Sequence, residues 1–95
     1  MNVLFTPQAE TLWFAALDYI RSDRPTAAIA FRDKVVKSLS RLEAFPQSGR
    51  LVPEYPDPSV REVIVSPYRF FYRIEIETVW VFAVWHEAQV PDDQD

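Results

Sequence analysis

Apolar residues in the first half of the chain recur every three or four positions, which is the spacing of one helical face. Thr6 can cap a first helix and Pro7 suits its first turn, while Pro25 can begin a second helix after a break. The pattern therefore predicts a short strand at about residues 3–5 and then a helical hairpin. The positions that define the two helical faces are Ala9, Leu12, Trp13, Ala16, Leu17 and Ile20, followed by Ala28, Phe31, Val35, Leu39 and Leu42.

Beyond Pro46 the period changes from helical to alternating. Residues 49–59 contain several turn-forming residues and no period, which predicts a loop. Apolar and polar side chains then alternate through residues 62–65 and 68–77, which predicts two strands. A turn near Glu77 leads into residues 79–86, which are apolar on both faces and should form a strand that is buried on both sides.

Two helices can cover only one face of a small sheet, so the apolar last strand needs a second cover. The neighbouring loop and the C-terminal tail could supply it. A partner protein could also supply it, since large exposed apolar patches usually mark interaction sites. We predict an obligate or nearly obligate partner.

Composition limits the chain to one domain, residues 1–95, of the α+β class. No cysteine is present and there is one histidine, so we expect no disulfide, no metal site and no cofactor. One glycine excludes a glycine-rich phosphate loop. Neither a signal peptide nor a membrane span is recognisable, so we expect a soluble cytoplasmic protein that makes no membrane contact.

The net charge of −4 is unevenly distributed along the chain. Residues 1–50 carry five acids and seven bases, whereas residues 51–95 carry nine acids and three bases. Residues 87–95 hold four acids and no base, and we expect this tail to be mobile. On the second helix Lys34, Lys37 and Arg41 form a basic stripe, for which an ordinary solvated face is the simpler interpretation. Direct binding of nucleic acid is disfavoured by this charge balance.

The remaining candidate chemistry is a set of basic, aromatic and acidic residues around the predicted sheet. Arginines could clamp a phosphorane while His86 or Glu62 moves a proton, as RNA cleavage requires. Simpler structural roles also explain the set: His86 lies at a strand end, Tyr68 and Tyr72 share the core face of their strand, and Gly49 permits a turn of positive φ. The full set is Arg50, Arg61, Glu62, Tyr68, Arg69, Tyr72, Arg73 and His86.

Several of these residues belong to a pattern that resembles the ParE/RelE family of toxins from type II toxin–antitoxin pairs. The resemblance covers nearly the whole chain, in the order strand, two helices and three strands. The family's fold implies a small twisted antiparallel sheet with a helical hairpin packed on one face. The residues that carry the resemblance are Ala9, Leu12 and Tyr19-Ile20, then Pro46 with Gly49-Arg50, Arg61-Glu62, Tyr68-Arg69 with Tyr72, and finally Val84-Trp85-His86.

The ParE-like branch is the closer match, because acidic residues follow His86 where the nuclease branch has arginines. This resemblance implies a plasmid-stabilisation toxin that inhibits DNA gyrase without hydrolysing anything and is neutralised by a cognate ParD-like antitoxin. Operator DNA would be bound only through that antitoxin. The alternatives are a ribosome-dependent mRNA endoribonuclease that uses Arg69 and His86, and a non-toxic relative that binds only the antitoxin. The residues predicted to bind the target or the antitoxin are Arg50, Arg61, Tyr68, Phe70, Tyr72, Arg73, Trp80 and Trp85.

Overall fold

The structure, a computed structural model, describes residues 1–89 and confirms the predicted α+β fold. One strand comes first, a helical hairpin follows it, and the other four strands come after the hairpin. None of the helices in residues 1–89 is long and apolar enough to cross a membrane. The elements are β1 (Asn2–Phe5), α1 (Pro7–Asp23), α2 (Pro25–Ser40), a 3₁₀ turn (Arg41–Glu43), β2 (Arg50–Leu51), β3 (Val60–Val65), β4 (Tyr68–Ile74) and β5 (Thr78–His86).

Both helices begin where the sequence predicts. The Thr6 hydroxyl accepts a hydrogen bond from the Ala9 N–H at 3.1 Å and so satisfies one of the unpaired donors of the first turn of α1. Pro7 and Pro25 are the first residues of α1 and α2, where a proline loses no helical hydrogen bond. Because α1 ends at Asp23 and α2 begins at Pro25, Arg24 is the one residue between the two helices.

The sheet has the strand order β1-β5-β4-β3-β2 and is mixed, which corrects the fully antiparallel sheet that the resemblance implies. β1 runs parallel with β5, because the hairpin carries the chain back so that both strands start at the same end of the sheet. All other pairs are antiparallel. The strand β2 lies inside the predicted loop, since its two residues are too few to show a period and are defined only by pairing with Arg61 and Glu62.

The main core lies between the hairpin and one face of the sheet. Trp13 packs its ring 5.6 Å from the ring of Phe70 and 5.8 Å from that of Phe31. All five positions predicted for the second helical face are buried, and so are the core-facing residues of β4. The α2 stripe Lys34, Lys37 and Arg41 is exposed on the outside. This core fixes which face of each strand points away from the helices.

A β-bulge decides which residues of β5 lie on each face. Phe71 pairs with Ala83 and Tyr72 pairs with Val81, so Phe82 has no partner in β4. As a result Val81 and Val84 both join the main core, although they are three residues apart, and strict alternation of faces fails at this point. On the helix side of the last strand Val79, Val81 and Val84 are buried, whereas Trp80, Phe82 and Trp85 on its other side are half-buried.

Candidate functional site

The face of the sheet opposite the helices carries most of the side chains that could meet a partner. We call it the open face. Phe71, Ala83, Val52 and Val60 form a second apolar cluster there, with Trp85 packing at 5.1 Å from the ring of Phe71. The strand residues of the open face are Val60, Glu62, Ile64, Arg69, Phe71, Arg73, Trp80, Phe82, Ala83 and Trp85.

Part of the open face is covered by residues 52–59, which we call the covering loop. Val52 is only 2% exposed because it packs into the cluster around Phe71. The predicted cover by the loop is therefore present over this part of the sheet. Trp80 and Phe82 lie beyond it and line a cavity of about 340 Å³ together with Arg73, whose guanidinium lies 5.4 Å from the centre of the Phe82 ring.

The first residues of the predicted tail are held at one end of the sheet. The Glu87 N–H donates to the Pro67 carbonyl at 2.7 Å, and the Ser66 hydroxyl donates to the Glu87 carboxylate at 2.7 Å. Gln89 is bonded back to the last residue of β5. Residues 87–89 thus make hydrogen bonds to the end of the sheet, and residues 90–95 of the predicted mobile tail lie outside the described residues.

A buried ion network ties the covering loop to the sheet. Glu62 is 1% exposed, and its two carboxylate oxygens accept hydrogen bonds from Arg69 Nε at 2.7 Å and from Arg50 Nε at 2.6 Å. The other side of the Arg69 guanidinium donates to Glu54 of the covering loop at 3.1 and 3.4 Å. With both carboxylates in place Arg69 is paired, although it is only 7% exposed.

Strand register explains why these charges meet. Arg50 lies directly opposite Glu62, and Arg69 lies opposite the neighbouring position Ile64, two residues along β3 on the same face. Alternation alone would place Glu62 on a solvated face, but the covering loop buries that face. Sequence reasoning missed Glu54, because a carboxylate in a loop without a period gives no signal of its partner.

The pH dependence of stability should report the contact between Glu54 and Arg69. The hydrogen bond from Arg69 lowers the pKa of Glu54 below its usual 4.5. A depressed pKa contributes stability that is fully present above 4.5 and is lost as the pH falls through the folded-state pKa. We therefore expect Glu54→Gln to be less stable than the wild type at pH 7. The difference in the free energy of unfolding between the two proteins should narrow as the pH falls below 4.5. Urea denaturation at a series of pH values measures it.

Glu10→Gln provides the matched control, since Glu10 is an exposed carboxylate that joins no ion pair within residues 1–89. A stability difference for Glu54→Gln that is constant between pH 7 and pH 3 would contradict the assignment.

Three predicted contact residues lie in the main core, and this corrects the prediction that they bind a partner. Tyr68, Phe70 and Tyr72 are buried beneath the hairpin. Burial raises the pKa of Tyr72, so its hydroxyl keeps its proton, which it donates to the Pro46 carbonyl at 2.6 Å. The same hydroxyl accepts from the Gly49 N–H at 3.0 Å. Tyr72 thus holds the segment that precedes β2 instead of facing a partner.

Gly49 is required by space and not by a positive φ, contrary to the sequence interpretation. A Cβ at this position would lie 2.5 Å from the Tyr72 hydroxyl and 2.7 Å from the Glu62 carbonyl oxygen. Arg61 supports the same segment, because its guanidinium donates to the carbonyls of Gln47 and Gly49 at 3.2 and 3.0 Å. Its role is also structural.

Arg69 and His86, the pair proposed for RNA cleavage, are not brought together. Arg69 lies on the open face opposite Trp85. His86 lies opposite Tyr68, with the two rings 5.4 Å apart, on the helix side of the sheet. The Nδ1 atom of His86 accepts a hydrogen bond from the Ala88 N–H at 3.0 Å. The two side chains therefore lie on opposite faces of the sheet, which disfavours their joint action on one phosphate.

Four of the predicted contact residues remain accessible. Arg73 is exposed, and Trp80 and Trp85 are half-buried on the open face. Arg50 lies on the short edge strand, and its side chain is 58% exposed even though its Nε is bound to Glu62. The part of the chain described here contains no cluster of three or more metal-ligating side chains. The accessible set is thus aromatic and cationic, which is typical of protein interfaces.

Comparison with known proteins gives one family and one fold. The family model described as the ParE toxin of the type II toxin–antitoxin system parDE matches residues 3–91. Comparison with curated proteins gives no significant match. Among solved structures, the chromosomal ParDE TA system from P. aeruginosa is similar to this chain, with a TM-score of 0.72 and 19% identity over 90% of this chain and 95% of that one.

Proposed function

This chain belongs to the ParE toxin family of type II toxin–antitoxin systems, and we propose that it inhibits DNA gyrase in the cytoplasm until a ParD-like antitoxin silences it. A ParD-like antitoxin is the partner suggested by the similar ParDE structure. Operator DNA would be contacted through that antitoxin. Inhibition would act by binding, with no bond broken in the target.

The observation that carries this proposal is the uncovered part of the open face. Trp80 and Phe82 present half-buried aromatic rings beside the Arg73 guanidinium, around a cavity of about 340 Å³. Tryptophan and arginine contribute most to binding energy when they lie at the centre of an interface. No residue of the covering loop lines this cavity. A second protein surface can therefore complete the burial that the chain leaves unfinished.

The arrangement of charges also favours a binding mode over RNA cleavage. Arg69 is neutralised by two carboxylates, and His86 lies on the other face of the sheet. A ribosome-directed nuclease needs free cations to hold a polyanion. The acidic Glu87 follows β5 at the position where such cations would be useful. These features support gyrase inhibition as the better candidate.

Purified protein is expected to inhibit DNA supercoiling by gyrase, and Trp80→Ala and Arg73→Ala are each expected to raise the half-inhibitory concentration about tenfold or more. The reason is that each truncation removes a side chain from the centre of the proposed contact. Phe14→Ala is the matched control, since Phe14 is an aromatic residue that is 55% exposed on α1, on the helix side of the molecule. Its inhibition should equal that of the wild type.

Expression in a growing culture separates the remaining alternatives. Arrest that a co-expressed ParD-like antitoxin reverses is the expected result. Unimpaired supercoiling at a large molar excess of the purified protein would overturn the gyrase proposal. Growth arrest accompanied by cleavage of ribosome-bound mRNA would instead support an endoribonuclease. Normal growth despite soluble expression would support a non-toxic relative that binds only the antitoxin.

A further inference from the structure

A second site lies at the outer edge of β3, away from the aromatic part of the open face. β2 pairs only with Arg61 and Glu62, so the following residues of β3 have no strand neighbour on that side within residues 1–89. The C-terminal end of α2 approaches this gap and encloses a cavity of about 310 Å³, which we call the edge pocket. Its lining comprises Ser38, Arg41, Ser48, Gly49, Arg50 and strand residues 62–64.

The edge pocket has a net positive lining. Arg41 is exposed and joins no ion pair within residues 1–89. Arg50 binds Glu62 through Nε, so its terminal nitrogens remain available. Glu62 is the one acidic residue among those that line the pocket, and its buried carboxylate already accepts hydrogen bonds from two arginines. The lining therefore includes two arginines whose terminal nitrogens join no ion pair within residues 1–89.

These donors suit one ligand chemistry. The planar guanidinium fork matches the geometry of phosphate oxygens and binds them through paired hydrogen bonds. The side chains of Ser38 and Ser48 add two hydroxyl donors to the same lining. A cavity of about 310 Å³ is large enough for a group of the size of pyrophosphate.

The basic stripe on α2 continues from this pocket. Lys34 and Lys37 lie three positions apart on α2, and Arg41, four positions further on, begins the 3₁₀ turn that follows the helix. All three are exposed. Arg41 belongs both to the stripe and to the pocket. A chain of phosphates that enters the pocket could therefore extend along the stripe.

We propose that the edge pocket binds a phosphate group, held by Arg41 and Arg50, and that the α2 stripe receives further phosphates of the same ligand. The ligand is a small polyphosphate compound or the backbone of a nucleic acid, which share this chemistry. The site is separate from the Trp80 and Arg73 surface proposed to bind protein. Its test is thus independent of gyrase inhibition.

The first measurement is an amide chemical-shift titration with pyrophosphate, compared with sodium chloride at matched ionic strength. Saturable shifts confined to the pocket residues are expected, and Arg41→Gln should weaken binding about tenfold or more. Arg32→Gln is the control, because Arg32 is an exposed arginine of α2 that lies outside the pocket lining. It should bind as the wild type does.

Arg41→Gln is informative because it removes no ion pair seen within residues 1–89, and circular dichroism checks that it is folded. Shifts that fail to saturate, or equal binding by Arg41→Gln and the wild type, would overturn the proposal. A single-stranded oligonucleotide that binds at the same residues, and loses affinity in a Lys34→Gln, Lys37→Gln double variant, would identify nucleic acid as the source. Pyrophosphate binding without oligonucleotide binding would identify a small phosphate compound.

Discussion

Glu62→Gln is expected to lower the free energy of unfolding by about 3 to 5 kcal/mol, the usual cost of removing one partner from a buried ion pair. Glu62 is 1% exposed and binds both Arg50 and Arg69. Without its charge, the buried Arg69 would keep only its contact with Glu54 at the edge of the covering loop. Urea denaturation followed by tryptophan fluorescence at neutral pH measures the loss.

Glu75→Gln is a suitable control, since it removes the same charge from an exposed position at the end of β4. A loss below about 1 kcal/mol for Glu62→Gln would show that the network behaves like an exposed ion pair. A double variant, Glu62→Leu with Arg69→Met, tests the cause. This double variant should be more stable than Glu62→Gln, because it removes the buried Arg69 charge that Glu62→Gln leaves without one of its partners.

Gly49→Ala is expected to destabilise the protein by about 1 to 3 kcal/mol, because the added methyl group has no room. The new carbon would lie 2.5 Å from the Tyr72 hydroxyl, 2.8 Å from its ring and 2.7 Å from the Glu62 carbonyl oxygen. One of these atoms belongs to the backbone of β3, so a change of side-chain rotamer cannot relieve every contact. Thermal and urea denaturation of the variant provide the measurement.

A double-mutant cycle with Tyr72→Phe separates the causes of that loss. Tyr72→Phe alone should cost about 1 to 3 kcal/mol, since it leaves the Pro46 carbonyl and the Gly49 N–H without their buried partner. The double variant Gly49→Ala, Tyr72→Phe should lose less stability than the sum of the two single losses, because Tyr72→Phe removes the hydroxyl that lies closest to the new methyl group. Additive losses would mean that the side chain is excluded by the Glu62 carbonyl and the aromatic ring, both of which Tyr72→Phe retains. Ser48→Ala, at an exposed neighbouring position, should be nearly neutral.

Local signals in the sequence were sufficient for the helical half of the fold. Thr6, Pro7 and Pro25 act on the adjacent backbone, and the helical faces repeat over many residues, so the hairpin and the buried positions of α2 follow from the pattern. The strands β3, β4 and β5 also follow from the sequence pattern. The parallel pairing of β1 and the existence of β2 depend on partners distant in the chain, which a local period cannot reveal.

The site was harder to predict, because its residues acquire their roles from register and burial. Alternation identified Tyr72 as a core residue, yet the family resemblance suggested a contact role that its burial excludes. Arg69 and His86 are plausible chemical partners in a list of residues, but adjacent cross-strand pairs place them on opposite faces. Glu62 becomes a buried anchor only because a loop without a period folds over it.

The parallel pairing of β1 with β5 also constrains the order in which the protein can fold during synthesis. Asn2 pairs with Thr78 and Phe5 with Val81, so β1 has no partner until residue 81 has been made. The hairpin and the β3–β4 pair use closer neighbours and can form earlier. Closure of the sheet therefore waits until residues 78–81 have been made. The surface that would recognise a partner, which includes Trp80 and Phe82, is completed only after that.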